Sequence, residues 1–374
     1  MALPGRGWAT RAGRFRFNFG MNWNFILVTL LKVVCVIVPV LTMVAYAVLV
    51  ERKISAFIQD RVGPNRTAPP WIEAIPIIGP FLTRLGIFQP IADGVKFLLK
   101  EDFTPAHVRK VYFWLAPAIT MVPAFLVLAV IPFGSNLGGE RMVIADLNVG
   151  ILYTFGIVSL GVYGTVLAGY ASNSKYPFLG SIRSSAQMIS YEIAMGMSVI
   201  PVFLLVGDLN LSKVIEYQAQ NGWLVFYAPL SFVIFLIAAF AETNRLPFDL
   251  PESESELIGG YHTEYSSMKF ALFFLGEYAN MIASSAMMVT LFFGGWTLPG
   301  FTAPANSIAA GIFHIGIFVA KMLSLMVVFI WVRWMWPRFR YDQLMDLGWR
   351  RFIPLALANI VFYAGWLWLA AKSK

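Results

Sequence analysis

One cysteine and three histidines are all that 374 residues offer of the usual soft metal donors. Cys35 alone makes no disulfide within the chain, no CxxC pair and no iron–sulfur ligand set. His107, His262 and His314 are too scattered for a haem pair or a zinc site to be read from spacing. No GxGxxG and no phosphate loop opens a helix after a strand. Aromatics interleaved with a basic patch, the mark of nucleic-acid binding, are missing too. We therefore expect no metal, flavin or iron–sulfur cluster bound by this chain and no nucleic-acid partner. Any redox chemistry falls on a diffusible substrate or in a partner. Charge is scarce as well: 13% of residues, with 20 acids against 28 Lys and Arg, where soluble domains carry about 25%.

What is present is apolar length. Hydrophobic residues make up 58% of the chain. Eight stretches are long enough for a bilayer, which takes about 20 residues each: near 25–50, 111–133, 151–171, 184–206, 223–241, 270–297, 306–332 and 351–371. A soluble core does not supply eight such runs. The reading is an all-α polytopic membrane protein with eight transmembrane helices. Residues 25–371 form a single membrane domain, with loops 51–110, 172–183, 242–269 and 333–350 on one side. Residues 1–24 read as a basic, dispensable tail and 372–374 as a short C-terminal tail.

Of the 28 Lys and Arg, 18 follow the first, third, fifth and seventh stretches and 8 lie on the other side or in the tails; Lys32 and Lys321 lie inside stretches. The positive-inside bias puts the basic loops in the cytoplasm and both termini outside.

The first loop opens with "ERKISAFIQDRVGPNR", 51–66, and Gly63-Pro64-Asn65 stops the helix before it. Residues 67–86 read as an irregular apolar insert. In "LGIFQPIADGVKFLLKED", Ile87, Phe88, Ile91, Val95, Leu98 and Leu99 recur at helical spacing while Asp93, Lys96 and Lys100 line the other face. That pattern predicts an amphipathic helix lying in the interface. Arg52, Lys53 and Arg61 fit a topology signal alone; Asp60 and Asp93 among them are not needed for one.

Acids inside the spans are costly, at least about 2.5–3.5 kcal/mol at the bilayer centre, and usually face a polar cavity or partner. Glu192 and Glu277 each fall about 12 Å inside a span by helical rise. Either an interhelical hydrogen bond or a shared wet path accounts for them; their matched depth favours the path. Glu277, Asn280 and Ser284 form one stripe, and Glu242 has Arg245 three residues on as a pairing candidate. Lys321, between His314 and Ser324 on a second stripe, reads as a relay element or as a counter-ion for one of the glutamates. The remaining oddity is "AETNRLPFDLPESESELIGGYHTEY", 241–265, which gathers six of the 20 acids.

With "QMISYE" and "FFLGEYANM", these motifs closely resemble the H subunit family of bacterial NADH-quinone oxidoreductase, respiratory complex I, over about residues 25–371. The resemblance implies a membrane-arm subunit without a redox centre of its own, with quinone as substrate. Its partners would be the peripheral quinone-site and iron–sulfur subunits, the small and antiporter-like membrane subunits, and the lipid bilayer. Carried over, the proton path falls on Glu192, Glu242, Glu264 and Glu277, with Lys321 a further candidate. The quinone chamber and its loop fall on Arg52, Arg61, Asp93, Lys96, Arg245, Phe248, Glu252, Glu254 and Glu256. The tail 1–24 and the insert 67–86 depart from the family pattern. A carboxylate cluster in a low dielectric raises its own pKa values, so the loop would sense charge created by quinone reduction, with Arg245, Arg52 and Arg61 offsetting part of the repulsion. Two alternatives remain open: the corresponding subunit of a membrane-bound hydrogenase or coenzyme F420-type dehydrogenase, and a self-contained ion transporter, which predicts inverted repeats that are not visible.

Overall fold

The computed structural model describes residues 23–73, 75–76, 78–137, 139–251, 254–299 and 307–372. The tail lies outside them except for its last two residues, which already belong to the first helix, α1 (Trp23–Ile58). Among the described residues seven helical segments are long and apolar enough to cross a bilayer. They are α1; α5 (Lys110–Val127); α6 (Gly150–Val158) continued by α7 (Leu160–Ala171); α8 (Lys175–Val206); α13 (Ser267–Phe292); α14 (Ile308–Met335); and α15 (Tyr341–Asp346) continued by α16 (Ile353–Lys372). Shorter pieces fill the connections: α2 (Pro70–Glu73), α3 (Ile78–Leu85), α4 (Gln89–Leu99), α9 (Leu211–Asn221), α10 (Leu224–Tyr227), α11 (Pro229–Glu242) and α12 (Glu254–Leu257). Strands β1 (Asn136–Leu137) and β2 (Glu140–Arg141) pair antiparallel between α5 and α6. The fold is all-α and polytopic, as the composition predicts.

Several boundaries differ from the sequence reading, each for a physical reason. Helix α1 does not stop at the first charges but runs on to Ile58, carrying Glu51 and Arg52 with it. Val50, Ile54 and Phe57 continue its apolar spacing. Helix α8 begins at Lys175, inside the stretch read as a loop. "KYPFLGSIR" is too polar for a hydropathy window, but Pro177, Gly180 and Ser181 are buried within the protein. The insert 67–86 is not irregular, since it folds into α2 and α3. At the other end α15 and α16 are joined by a π-helical stretch, Leu347–Phe352, and Tyr191 of α8 donates to Leu344 O at 2.9 Å there.

Helix α13 is the centre. Two-thirds (67%) of its apolar window is buried, against 17% for the peripheral Tyr341–Lys372 segment. Its own Met281 and Phe292, with Tyr191, Phe235 and Phe329 from neighbouring helices, are fully buried in the core. Helix α7 is wedged between α5 and α8 because it carries glycine at both contacts. A methyl group on Gly164 would overlap Thr120, and one on Gly169 would overlap Ser181. Small residues at such crossings are how helices approach in a medium that gives no hydrophobic drive between them. Helix α8 ends at Gly207, whose φ of +79° suits glycine, and Asn210 Oδ1 caps α9 by accepting from the Ser212 and Lys213 N–H groups.

Candidate functional site

The last turns of α1, helix α4, the first half of α13 and the end of α14 enclose a cavity of about 500 Å³. Its wall is apolar (Val44, Val48, Phe97, Phe270, Phe274) and its polar groups are Glu51, Arg52, Ser55, Asp93, Tyr278 and Arg333. Arg52 Nη1 lies 2.8 Å from Asp93 Oδ2, an ion pair between α1 and α4. Gln89 donates to the same Asp93 at 3.0 Å, and Thr67 donates to Gln89 at 2.5 Å, so the insert is tied to α4. The opposite face of α4 presents Ile91, Val95, Leu98 and Leu99 outward.

At one side of the cavity the charges form a chain. Glu51 Oε2 accepts from the Tyr278 hydroxyl at 2.5 Å and from Arg245 Nη1 at 3.0 Å, while Glu51 Oε1 takes Arg333. Arg245 Nε sits 2.7 Å from Glu277 Oε1, and its guanidinium lies 4.3 Å over the Tyr278 ring. Arg245 is only 2% exposed, Glu51 8% and Glu277 12%. Such desolvated charges persist only when paired and hydrogen-bonded. The expected Arg245–Glu242 pair is not what forms. The chain turns at Asn244 (φ +50°), Arg245 N–H bonds to Phe240 O at 3.2 Å, and the side chain leaves towards Glu51 and Glu277. Sequence reading missed Glu51, Tyr278 and Arg333. Glu51 was masked by its neighbours Arg52 and Lys53, which made it look like one more surface charge.

Glu242 turns the other way. It is buried, one of its oxygens has no hydrogen-bond partner among the described residues, and it lines a cavity of about 20 Å³ with Thr154, Thr243, Asn280 and Ser284. That is room for about one water molecule. Glu192 of α8 is within electrostatic range of Glu242. The stripe Glu277–Asn280–Ser284 therefore divides: Glu277 faces Arg245, and the other two face Glu242. Because α8 begins nine residues before the predicted position 184, Glu192 lies farther from its helix start than the sequence depth allowed.

Two carboxylates of the acidic loop are paired among the described residues: Asp249 reaches Arg338 at 3.0 Å and Glu256 reaches Arg183 at 2.6 Å. Arg245 pairs with Glu51 and Glu277, and Arg52 with Asp93. Glu264 is half-buried; Glu252 and the side chain of Glu254 lie outside the described residues. Phe248 lies off the cavity, stacked on Phe339 with centroids 5.4 Å apart, and Gln187 donates to Phe248 O at 2.8 Å and to Ala241 O at 2.7 Å. These contacts anchor the loop to α8. His262 is enclosed by Tyr261, Phe270 and Phe274, with centroids 5.2, 5.2 and 6.1 Å away, and burial pushes its pKa down to about 4. Arg61 lines an adjoining groove with Gly63 and Pro64 that shares Arg52 and Ser55 with the cavity, and Lys96 is exposed.

Among the described residues Lys321 pairs with no glutamate. Its ammonium donates to the Phe293, Gly295 and Thr297 carbonyls at 2.7, 3.0 and 2.6 Å and lies 4.6 Å over the Trp223 ring. It closes the carboxyl end of α13, where unpaired carbonyls and the helix dipole favour a cation. His314 pairs with Ser135 at 2.7 Å, and Lys32 with Glu140 at 3.1 Å. No cluster of three or more His, Cys, Asp or Glu among the described residues has metal-binding geometry.

Fold and site together define a polytopic helical membrane protein in which a half-apolar cavity opens onto a buried arginine–carboxylate chain. Residues 31–364 match the NADH dehydrogenase family. The H 1 subunit of NADH-quinone oxidoreductase from Cytophaga hutchinsonii is 46% identical over 343 residues, 90% of this chain and 96% of that protein. The H 1 subunit from Geobacter metallireducens is 48% identical over 91% of this chain and 97% of its own length, and the H subunit from Rhodospirillum rubrum is 47% identical over 93% and 96%. The chain belongs to this family, the H subunits of NADH-quinone oxidoreductase.

Proposed function

We propose that this protein walls the quinone chamber of its oxidoreductase and connects the chemistry there to proton translocation through buried carboxylates. One observation carries the reading: the cavity beneath α4 is apolar along one wall and charged along the other, at the end of three membrane helices. An isoprenoid quinone has the same division, a long apolar tail and a small polar head. Reduction to the quinol takes two electrons, supplied by partner subunits, and two protons. Negative charge on the reduced head would draw on Arg52, Arg333 and Arg245, and each arginine that shifts loosens its hold on Asp93, Glu51 or Glu277. The path then continues through Glu242 and Glu192, with Glu264 beside it, while Lys321 serves it by fixing the far end of α13. The acidic loop, Glu252, Glu254 and Glu256 included, and Phe248 shape the mouth towards peripheral iron–sulfur and quinone-site subunits. Arg61 and Lys96 belong to the same face. Small and antiporter-like membrane subunits would receive the protons.

The same reading completes the topology at eight crossings. Helix α11 has 14 residues, about 21 Å of rise against a hydrocarbon core of about 30 Å, and α10 lengthens it through Ala228. Helix α4 lies in the interface with its apolar face to lipid, and both termini are periplasmic in a bacterial inner membrane. Neither the hydrogenase-type alternative nor a free-standing transporter is favoured by the relatives.

Arg52→Ala and Asp93→Ala test the chamber. Each should lower NADH:quinone activity by an order of magnitude or more while NADH:ferricyanide activity, which reports the flavin site, stays near wild type. Normal quinone activity in both variants would refute the assignment.

A further inference from the structure

Away from the cavity, three helix ends meet on the outer surface: the start of α5, the end of α7 and the start of α8. Between them opens a cavity of about 300 Å³ whose lining includes Arg109, Tyr170, Asn173, Lys175 and Phe178, and no Asp or Glu. Lys110 follows Arg109 as the first residue of α5, and all three cations are exposed. Among the described residues no carboxylate lies within ion-pair distance of any of them. The nearest acid along the chain, Asp102, is taken by Lys269 at 3.0 Å.

The cluster is built rather than incidental. The Arg109 guanidinium lies 4.5 Å over the Tyr170 ring and bonds its hydroxyl, and its backbone N–H donates to Ala171 O at 2.9 Å. Asn173, at φ +48°, reaches back to His107 O at 3.1 Å and closes the two loops on each other. Lys110 and Lys175 stand at the positive ends of two helix dipoles. One step further along the same surface the exposed side chains are apolar. Val111 (76% exposed), Leu115, Tyr163, Phe178 and Ile182 all face outward on helical segments long and apolar enough to cross a bilayer.

A cationic cluster ringed by aromatics, unbalanced by acid and continuous with an apolar helical wall calls for a ligand that is anionic at one end and apolar at the other. Basic pockets between transmembrane helices at the membrane surface take phospholipid headgroups in this way. We propose that the α5–α7–α8 junction binds the phosphate of an anionic phospholipid, with its acyl chains along the exposed faces of the three helices. A free phosphate would satisfy the cations but leave the apolar wall unused. The charge complementarity and the wall together favour lipid.

The test uses the intact oxidoreductase, purified in non-ionic detergent and supplied with photoactivatable phosphatidylglycerol or phosphatidylcholine, with labelled peptides mapped by mass spectrometry. Phosphatidylglycerol should label peptides spanning 103–116 and 163–182, and phosphatidylcholine should not. Each neutralised cation should weaken retention about five-fold, so Arg109→Gln with Lys175→Gln should lower it on the order of 30-fold. Arg109→Lys with Lys175→Arg should keep it. If the double variant does not assemble, Lys175→Gln alone carries the same comparison. Equal labelling by both lipids, undiminished labelling in the Gln variants, competition by millimolar inorganic phosphate, or no labelling because another protein of the complex covers the face would each overturn the proposal.

Discussion

Glu51 is the residue on which most of the buried charge depends. Its two oxygens serve Arg245, Arg333 and Tyr278 at once, on three different parts of the chain. Removing one partner of a buried ion pair costs about 3–5 kcal/mol, because the other charge stays behind without compensation. Glu51→Ala should therefore lower the thermal midpoint of the assembled complex clearly. Glu51→Gln keeps an acceptor for Tyr278 but leaves Arg333 without its counter-charge, so it should recover only part of the stability while quinone reduction stays impaired. Equal stability of the Ala variant and wild type in a thermal inactivation assay would show that the network is not structural. Glu192→Gln, Glu242→Gln and Glu277→Gln should each still assemble, since the amide is near-isosteric and hydrogen-bonds well, and lower the proton yield per NADH oxidised in proteoliposomes; Glu277→Gln should also lose stability, because it takes one counter-charge from Arg245 and leaves only Glu51. Wild-type yield in all three would remove these glutamates from the path. Glu192, Glu242 and Glu277 were legible in the sequence because an intramembrane carboxylate stands out against lipid-soluble neighbours. Glu51 and its partners were not, since Arg245 and Arg333 meet it only after segments 194 and 282 residues apart along the chain have packed.

His262 gives the acidic loop a pH limit. Its pKa is pushed down to about 4 by burial, from an ordinary value near 6.5, so the folded loop holds it neutral. That contribution is complete above about pH 6.5 and is lost as pH falls towards 4, because the released loop takes up the proton first. About 2 kcal/mol is gone by pH 5. Hydrogen exchange over residues 254–266 should accelerate between pH 7 and pH 5 in the wild type, and His262→Phe should flatten that response. A pH-independent wild-type rate, after correction for intrinsic exchange, would contradict it.

At the scale of elements, apolar length identified the membrane helices, and it misplaced those ends where burial is supplied by protein instead of lipid. The first turns of α8 are the example. Pro177, Gly180 and Ser181 are buried, yet to a hydropathy window residues 175–183 read as loop. Helix α4 shows the converse: its spacing of Ile91, Val95 and Leu98 was visible, because an exposed apolar stripe is periodic by itself. The seating of α7 depended on two glycines that no periodicity marks. Gly164→Val should push α7 from Thr120 and its backbone, and overpacking of this kind costs about 1–3 kcal/mol or more. The expected result is loss of assembled complex on native gels, whereas Gly156→Ala, with open space around it, should assemble normally. Comparable assembly of the two variants would mean that the α5–α7 contact is looser than the structure has it.

For the whole molecule, the question is what covers the acidic loop. Helix α12 and the residues after it are held down from below by Leu257, which is 2% exposed, while the next residue, Ile258, is 62% exposed at φ +67°. A β-branched side chain held outward in a left-handed conformation, beside the Glu256–Arg183 pair, is an expensive thing to leave facing water. In the assembled oxidoreductase this face would meet the peripheral subunits, which would bury Ile258 and add counter-charge to the remaining carboxylates. The measurement is thiol labelling in membranes. Cys35, the single native cysteine, is replaced by Ser, and Ile258→Cys is introduced. A membrane-impermeant maleimide should label position 258 poorly in inside-out vesicles carrying the complete enzyme and rapidly once the peripheral arm has been stripped by alkali or chaotrope. Right-side-out vesicles should give no labelling in either state, which separates protection by a partner from the wrong topology. Rapid labelling in the intact enzyme would leave the loop free in solvent, and the acidic segment would then need an explanation other than contact with its redox partners.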